Sequence, residues 1–222
     1  MNSVLQKLSL LFERLPGIGP RQARRFVYAL ADEKPEILEE FAGAFLEMKV
    51  LAKRCPECFR VFEGEKARLP NRQTDLPAEQ VGLPAEQAGV VCASCATHAE
   101  SSALLIAERD VDLENIEKLG VYSGLFHIVG EIALPFQSDT DKMRLKELHN
   151  RIKNSKTIKE VILATSATNE GDAVAAYIEK ILENFTESGK IKITRLGRGL
   201  STGSYLEFSD RSTLENALKN RK

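Results

Sequence analysis

Cys55-Pro-Glu-Cys58 and Cys92-Ala-Ser-Cys95 are two C-x-x-C knuckles that account for all four cysteines of the chain. Each knuckle turns two thiolates toward one point, so the pair supplies a tetrahedron of sulfur for a Zn2+ ion. Four thiolates leave no open position for water or substrate. Such a metal is structural, one per chain, contributing fold rather than chemistry. Lys53, Arg54 and Arg60 stand near enough in sequence to offset the charge of the thiolates. A redox dithiol is the competing reading, but it needs one pair, and this chain has two with none left over. His98 is a spare donor beside an already complete shell.

A second constellation lies near the amino end, in Leu15-Pro-Gly-Ile-Gly-Pro-Arg-Gln-Ala-Arg-Arg25. This is the layout of a helix-hairpin-helix. Gly17 and Gly19 expose backbone N–H groups where the second helix begins, and the helix dipole there favours a phosphate. Arg21, Arg24 and Arg25 add charge-assisted contacts, and binding of that kind is blind to base sequence. A glycine-rich corner between two helices also serves plain packing. Three arginines in the first turns of a helix, however, oppose its dipole and ask for an anionic partner.

Other chemistries lack their residues. No Gly-x-x-x-x-Gly-Lys-Ser/Thr loop is present, which excludes a standard phosphate-cradling ATPase site. His98, His127 and His149 lie in unrelated contexts, and no Ser/His/Asp set can be argued from them.

The elements that must position these groups follow from periodicity. Apolar residues at helical spacing predict helices over residues 4–14, about 20–30 with Pro20 at the first position, and roughly 36–52. In the third, Ile37, Leu38, Phe41, Phe45, Met48 and Leu51 share one face. From Ala103 the pattern becomes strand, helix, strand, helix. Strands are predicted at 103–107, 126–129, 161–164 and 192–194, and helices at 112–119, 144–154 and 172–185, which implies a mainly parallel sheet covered by helices. Tyr205 to Phe208 reads as a further strand, and Ser212-Thr-Leu-Glu215 as a capping box opening a last helix. Between the knuckles, Leu76-Pro-Ala-Glu-Gln-Val-Gly82 is repeated as Leu83-Pro-Ala-Glu-Gln-Ala-Gly89, where proline and glycine in each copy predict a solvated loop.

The 222 residues carry a net charge of −1, but both ends are basic. Residues 1–30 have Lys7, Arg14, Arg21, Arg24 and Arg25 against Glu13, a balance of +4, and residues 190–222 reach +5. The terminal regions can therefore hold a polyanion although the whole is slightly acidic. With 43% hydrophobic and 28% charged residues the composition is that of a soluble globular protein. No apolar run is long enough to span a membrane and no export signal is seen, so a cytoplasmic location is expected, where disulfides are disfavoured.

Taken in order and at this length, the hairpin, the four-cysteine module and the following α/β domain resemble the RecR family from end to end. Glu108 in Leu-Leu-Ile-Ala-Glu-Arg-Asp matches the first acidic residue of a Toprim domain. Gly120 to Gly130, Ile162 to Asp172 and Arg198 to Phe208 are similar to later family segments. Departures are Gln22 for a usual Ser or Thr, Glu131 for glycine, Ser201 for proline, and the enlarged zinc loop. The resemblance implies a multidomain α+β protein. On that resemblance residues 1–53 would form a helix-hairpin-helix domain, 54–100 a zinc module with inserted loop 63–91, 101–197 a Toprim domain, and 198–222 a strand-helix tail.

What the resemblance implies for function is a non-catalytic DNA-binding mediator of recombinational repair. It would act with RecO-like and RecF-like proteins to promote RecA loading, binding single- and double-stranded DNA as a homo-oligomer, dimer or tetrameric ring. Catalytic Toprim domains hold divalent metal with a glutamate and an Asp-x-Asp pair. Here Ser166 and Thr168 stand at the aspartate positions, leaving Glu108, with Glu170 and Asp172 close by, for partner contact or as vestigial acidic residues. The alternative is a metal-dependent Toprim nuclease or primase.

Overall fold

The computed structural model describes residues 3–64, 90–132, 138–200, 203 and 205–220. The heptad repeat of residues 76–89 and Ser201 lie outside them. The chain divides into two compact units, Met1–Ala52 and Lys53–Lys222.

The first unit holds three helices, α1 (Val4–Phe12), α2 (Pro20–Ala31) and α3 (Pro35–Leu51). The Ser3 hydroxyl caps α1 by accepting from the Gln6 amide at 3.2 Å, and Pro20 and Pro35 each open a helix whose first N–H would have no partner anyway. Ser9, Ala23 and Val27 are buried, and the rings of Phe12 and Phe26 meet edge to face at 5.9 Å. This small apolar seam holds the α1–α2 hairpin. The predicted apolar face of α3 is different: α3 buries none of its residues, and Leu38, Phe41, Phe45 and Met48 are exposed.

The second unit opens with two short paired strands, β1 (Ala52–Arg54) and β2 (Val61–Glu63), and a five-residue helix, α4 (Ala93–Thr97). An alternating run follows: β3 (Ala103–Ala107), α5 (Asp110–Leu119), β4 (Leu125–Ile128), α6 (Asp139–Asn154), β5 (Glu160–Ala164), α7 (Asn169–Glu187) and β6 (Lys192–Arg195). The sheet order is β4-β3-β5-β6 and every pairing is parallel, with Leu104 opposite Leu125 and Val161. Parallel strands joined by helical crossovers are covered on both faces, and the side-chain period of two divides them cleanly. Leu104, Ile106, Val161 and Leu163 pack with Leu148 and Ile152 of α6 and Ile178 and Leu182 of α7. Leu105, Ala107, Phe126 and Ile128 face Leu113 of α5 and, unexpectedly for a metal-knuckle residue, Phe59.

Two expectations fail near the carboxyl end. Tyr205 to Phe208 is not a strand: Leu206–Phe208 forms a single 3-10 turn with Tyr205 and Phe208 exposed. No neighbouring strand among the described residues accepts its ladder bonds, and a lone strand has nothing to hold it extended. The helix α8 (Arg211–Lys219) starts before the predicted capping box, with Ser212 inside it. Its cap is Asp210, whose carboxylate accepts from the Thr213 amide at 2.9 Å and hydroxyl at 2.7 Å.

Candidate metal centre and nucleic-acid interface

All four cysteines are buried and unbridged, and their sulfur atoms lie within 4.8 Å of one another. Cys55 follows β1, Cys58 ends the tight turn after it, Cys92 caps α4 and Cys95 sits one turn inside it. Two backbone bonds close the first knuckle: Cys55 N to Arg60 O at 2.9 Å and Phe59 N to Cys55 O at 2.9 Å. Phe59 takes a positive φ of 63° to complete that turn while its ring enters the core.

The spacing fits a tetrathiolate ion. A disulfide needs sulfurs about 2.05 Å apart, whereas Cys58 and Cys92 stand at 3.6 Å and Cys55 and Cys95 at 4.0 Å. A tetrahedral ion with metal–sulfur bonds of about 2.3 Å requires roughly 3.8 Å between sulfurs, midway between the two. Packed together in a buried site, the four thiols perturb one another's titration. Hydrogen bonds from Cys58, then Cys92 and Cys95, pull the Cys55 thiol far below its usual range, while burial pushes Cys58 above it. A dication held by them deprotonates every coordinating thiol.

The cation hydrogen-bonded to the sulfurs is not among those proposed from sequence, although Arg60 lies near enough to feel the charge of Cys58 and Cys92. Arg60 is committed to Glu117 through two bonds of 2.6 and 2.9 Å, and Arg54 donates to the Phe59 carbonyl. Arg151, from α6, donates through Nη2 to Cys95 Sγ at 3.6 Å. It is fifty-six residues beyond Cys95, and a lone arginine on a helix surface pattern gives no signal of that contact. His98 stays out of the cluster, with its Nδ1 3.1 Å from the Ser94 carbonyl.

In the hairpin, Gly17 has φ +78°, a conformation that side chains disfavour, and Gly19 is the N-cap of α2 with no side chain capping the amides behind it. Arg21, Arg24 and Arg25 are exposed on the first two turns of α2. Arg24 reaches the Pro20 carbonyl through Nε at 3.3 Å, and no ion pair among the described residues engages the three. The corner thus presents unpaired backbone amides and three cations together.

The acidic residues of the second unit do not converge. Glu108, at the carboxyl end of β3, is 8% exposed, and its Oε2 accepts from the Ser166 amide at 3.1 Å and from the Ser166 hydroxyl. Thr168 is the N-cap of α7, its hydroxyl accepting from the Gly171 amide at 3.1 Å. Gly171 is obligatory there, because a Cβ would lie 2.1 Å from the Ser166 carbonyl oxygen. Asp172 is held by Arg198 through bonds of 2.6 and 2.9 Å, with Arg195 at 3.4 Å, so its carboxyl titrates below the usual range. Glu170 is exposed on the first turn of α7. Among the described residues, the four cysteines are the one group of three or more His, Cys, Asp or Glu arranged to hold a metal.

Residues 102–197 match the model of the Toprim domain family. Over its length the chain is similar to the recombination protein RecR of Deinococcus radiodurans, 32% identical over 221 residues that cover 99% of this chain and 84% of that protein. RecR of Treponema pallidum is 32% identical over 94% of this chain and 90% of its own length. RecR of Lactobacillus helveticus is 29% identical, at 95% and 92% coverage. An apposed four-cysteine cluster, a parallel Toprim sheet behind it and near-complete coverage at this identity agree: the chain belongs to the RecR family.

Proposed function

We propose that this protein is a non-catalytic mediator of recombinational DNA repair that grips the sugar-phosphate backbone through its amino-terminal hairpin. One observation carries the reading: Arg21, Arg24 and Arg25 stand exposed, without ion-pair partners among the described residues, beside the uncapped first turn of α2. Backbone amides and guanidinium groups in that arrangement take phosphate oxygens, whatever the base sequence. The ion at Cys55, Cys58, Cys92 and Cys95 is then zinc, since soft thiolates in a closed tetrahedron suit it and leave it no site for substrate.

The disposition of the acidic residues supports a binding rather than a cutting role. The Ser166 hydroxyl and amide engage Glu108 Oε2, and Thr168 serves as a helix cap. Neutral hydroxyls at those places give a hard dication no charge to neutralise. Glu170 and Asp172 belong to a surface for partner proteins of the RecO and RecF kind, through which RecA is loaded; Glu108, buried against Ser166, is a vestigial Toprim acidic residue, and the working form is a homo-oligomer, dimer or ring. These assignments follow from family membership.

The test is fluorescence anisotropy with labelled single- and double-stranded oligonucleotides of unrelated sequence. Arg21→Glu combined with Arg24→Glu should weaken binding to all of them alike, by about tenfold or more at low salt. Unchanged affinity refutes the assignment. A plasmid-nicking assay with Mg2+ or Mn2+ covers the enzymatic alternative, which turnover abolished by Glu108→Ala would favour.

A further inference from the structure

Arg151 lies near the end of α6 with its side chain 13% exposed, and its guanidinium bridges three separate elements. Nη1 donates to the carbonyl of Glu57 in the first knuckle at 3.0 Å and to the carbonyl of Phe126 in β4 at 2.7 Å. Nη2 donates to Cys95 Sγ in the second knuckle at 3.6 Å and lies 3.5 Å from the Glu57 carboxylate. A guanidinium so enclosed is costly to desolvate and persists only where anions and acceptors surround it. Four thiolates around one dication supply the matching need, because they carry two net negative charges into a buried site.

A second link runs alongside. The Ile128 amide at the end of β4 donates to the Cys58 carbonyl at 2.7 Å. The Phe59 ring packs edge to face on His127 at 5.3 Å, in the core shared with β3 and α5. The knuckles are therefore tied to the sheet both by a charged group and by backbone.

We propose that Arg151 is the positioning residue of the metal centre: it balances the buried tetrathiolate and transmits metal occupancy into β4 and α6 of the Toprim domain. The ion then does more than close a small loop. It holds one edge of the parallel sheet and the helix covering it, so metal retention and order at that edge rise and fall together. The inference rests on the four cysteines being a metal site and adds which residue couples that site to the rest of the fold.

Two measurements on the full-length protein test it. In competition with a chromophoric chelator, Arg151→Gln should release zinc about 10–100-fold more readily than wild type, the usual penalty for removing a group that orients a metal ligand. Arg151→Lys, which keeps charge but not the fork, should fall between them. Arg211→Gln, an exposed change of the same charge, should match wild type. Hydrogen exchange on wild-type protein before and after zinc removal needs no variant to fold. Amides of Phe126, Ile128 and residues 148–152 should lose at least tenfold protection, with those of residues 178–182 in α7 unaffected.

Arg151→Gln that holds zinc as tightly as wild type overturns the proposal. So does protection in β4 and α6 that ignores the metal, or that falls equally through α7. A wild-type protein that takes up no metal at all removes the metal centre itself, a failure distinct from these.

Discussion

His127 illustrates how far a side chain can depart from its usual behaviour. It is fully buried in β4, with Nε2 3.1 Å from the Arg144 carbonyl. Burial first, and the nearby charge of Arg151 second, hold its pKa down to about 3. The unfolded chain takes up a proton near pH 6.5 while the folded chain resists until about pH 3. Stability from this residue is thus complete above pH 6.5 and is lost as pH falls through that window. Between pH 6.5 and 5.0 wild type should lose on the order of 1 to 2 kcal/mol more than His127→Gln, read from urea midpoints at the two pH values. Equal losses would show that the histidine is protonated in the fold. Nothing in Leu125-Phe-His-Ile128 as a sequence distinguishes such a group from a surface histidine, because burial on both sheet faces depends on what packs there.

Among the elements, legibility follows how local the cause is. β3 and β5 were readable from short runs of Leu, Ile, Val and Ala, since a parallel strand covered on both faces needs such residues at successive positions. α2 was readable from Pro20 and its apolar spacing. The segment after β6 was not: Tyr205 to Phe208 has strand composition, but strands exist through neighbours, and none pairs with it among the described residues. The last helix was found with the wrong cap, because Asp210 and Ser212 are both good caps in composition and only the backbone path selects one. Asp210→Ala should cost α8 about 1 kcal/mol, visible as earlier loss of protection in residues 213–219 by hydrogen exchange. An Asp210→Ala chain with unaltered exchange would return the cap to another residue.

For the whole chain, charge is a poor guide unless its distribution is considered. A net charge of −1 suggests no taste for polyanions, yet the amino-terminal 30 residues carry +4. If Arg21, Arg24 and Arg25 each neutralise a phosphate, the logarithm of duplex-DNA affinity should fall with the logarithm of salt at a slope of about −2.7 or steeper. The doubly reversed Arg21→Glu and Arg24→Glu chain should lose about two units of that slope. A flat titration would mean that the arginines face solvent without a ligand. The same molecule contains no helix, among its described residues, long and apolar enough to cross a membrane.

The motif-bearing parts of this protein were decided by residue type and spacing alone: the two C-x-x-C knuckles, the glycine-proline corner with its arginines, and the alternation that makes a parallel sheet. These have short-range causes, since a turn, a cap or an apolar period acts over a few residues. The pairing of Arg151 with Cys95, the commitment of Glu108 to Ser166, the capture of Asp172 by Arg198 and the burial of Phe59 under the sheet came from the folded chain. Each joins groups separated by 26 to 68 residues, and an ion pair or a packed ring leaves no periodic trace. Such partners are selected by which surfaces the completed sheet and its helices bring within reach, a choice made in three dimensions.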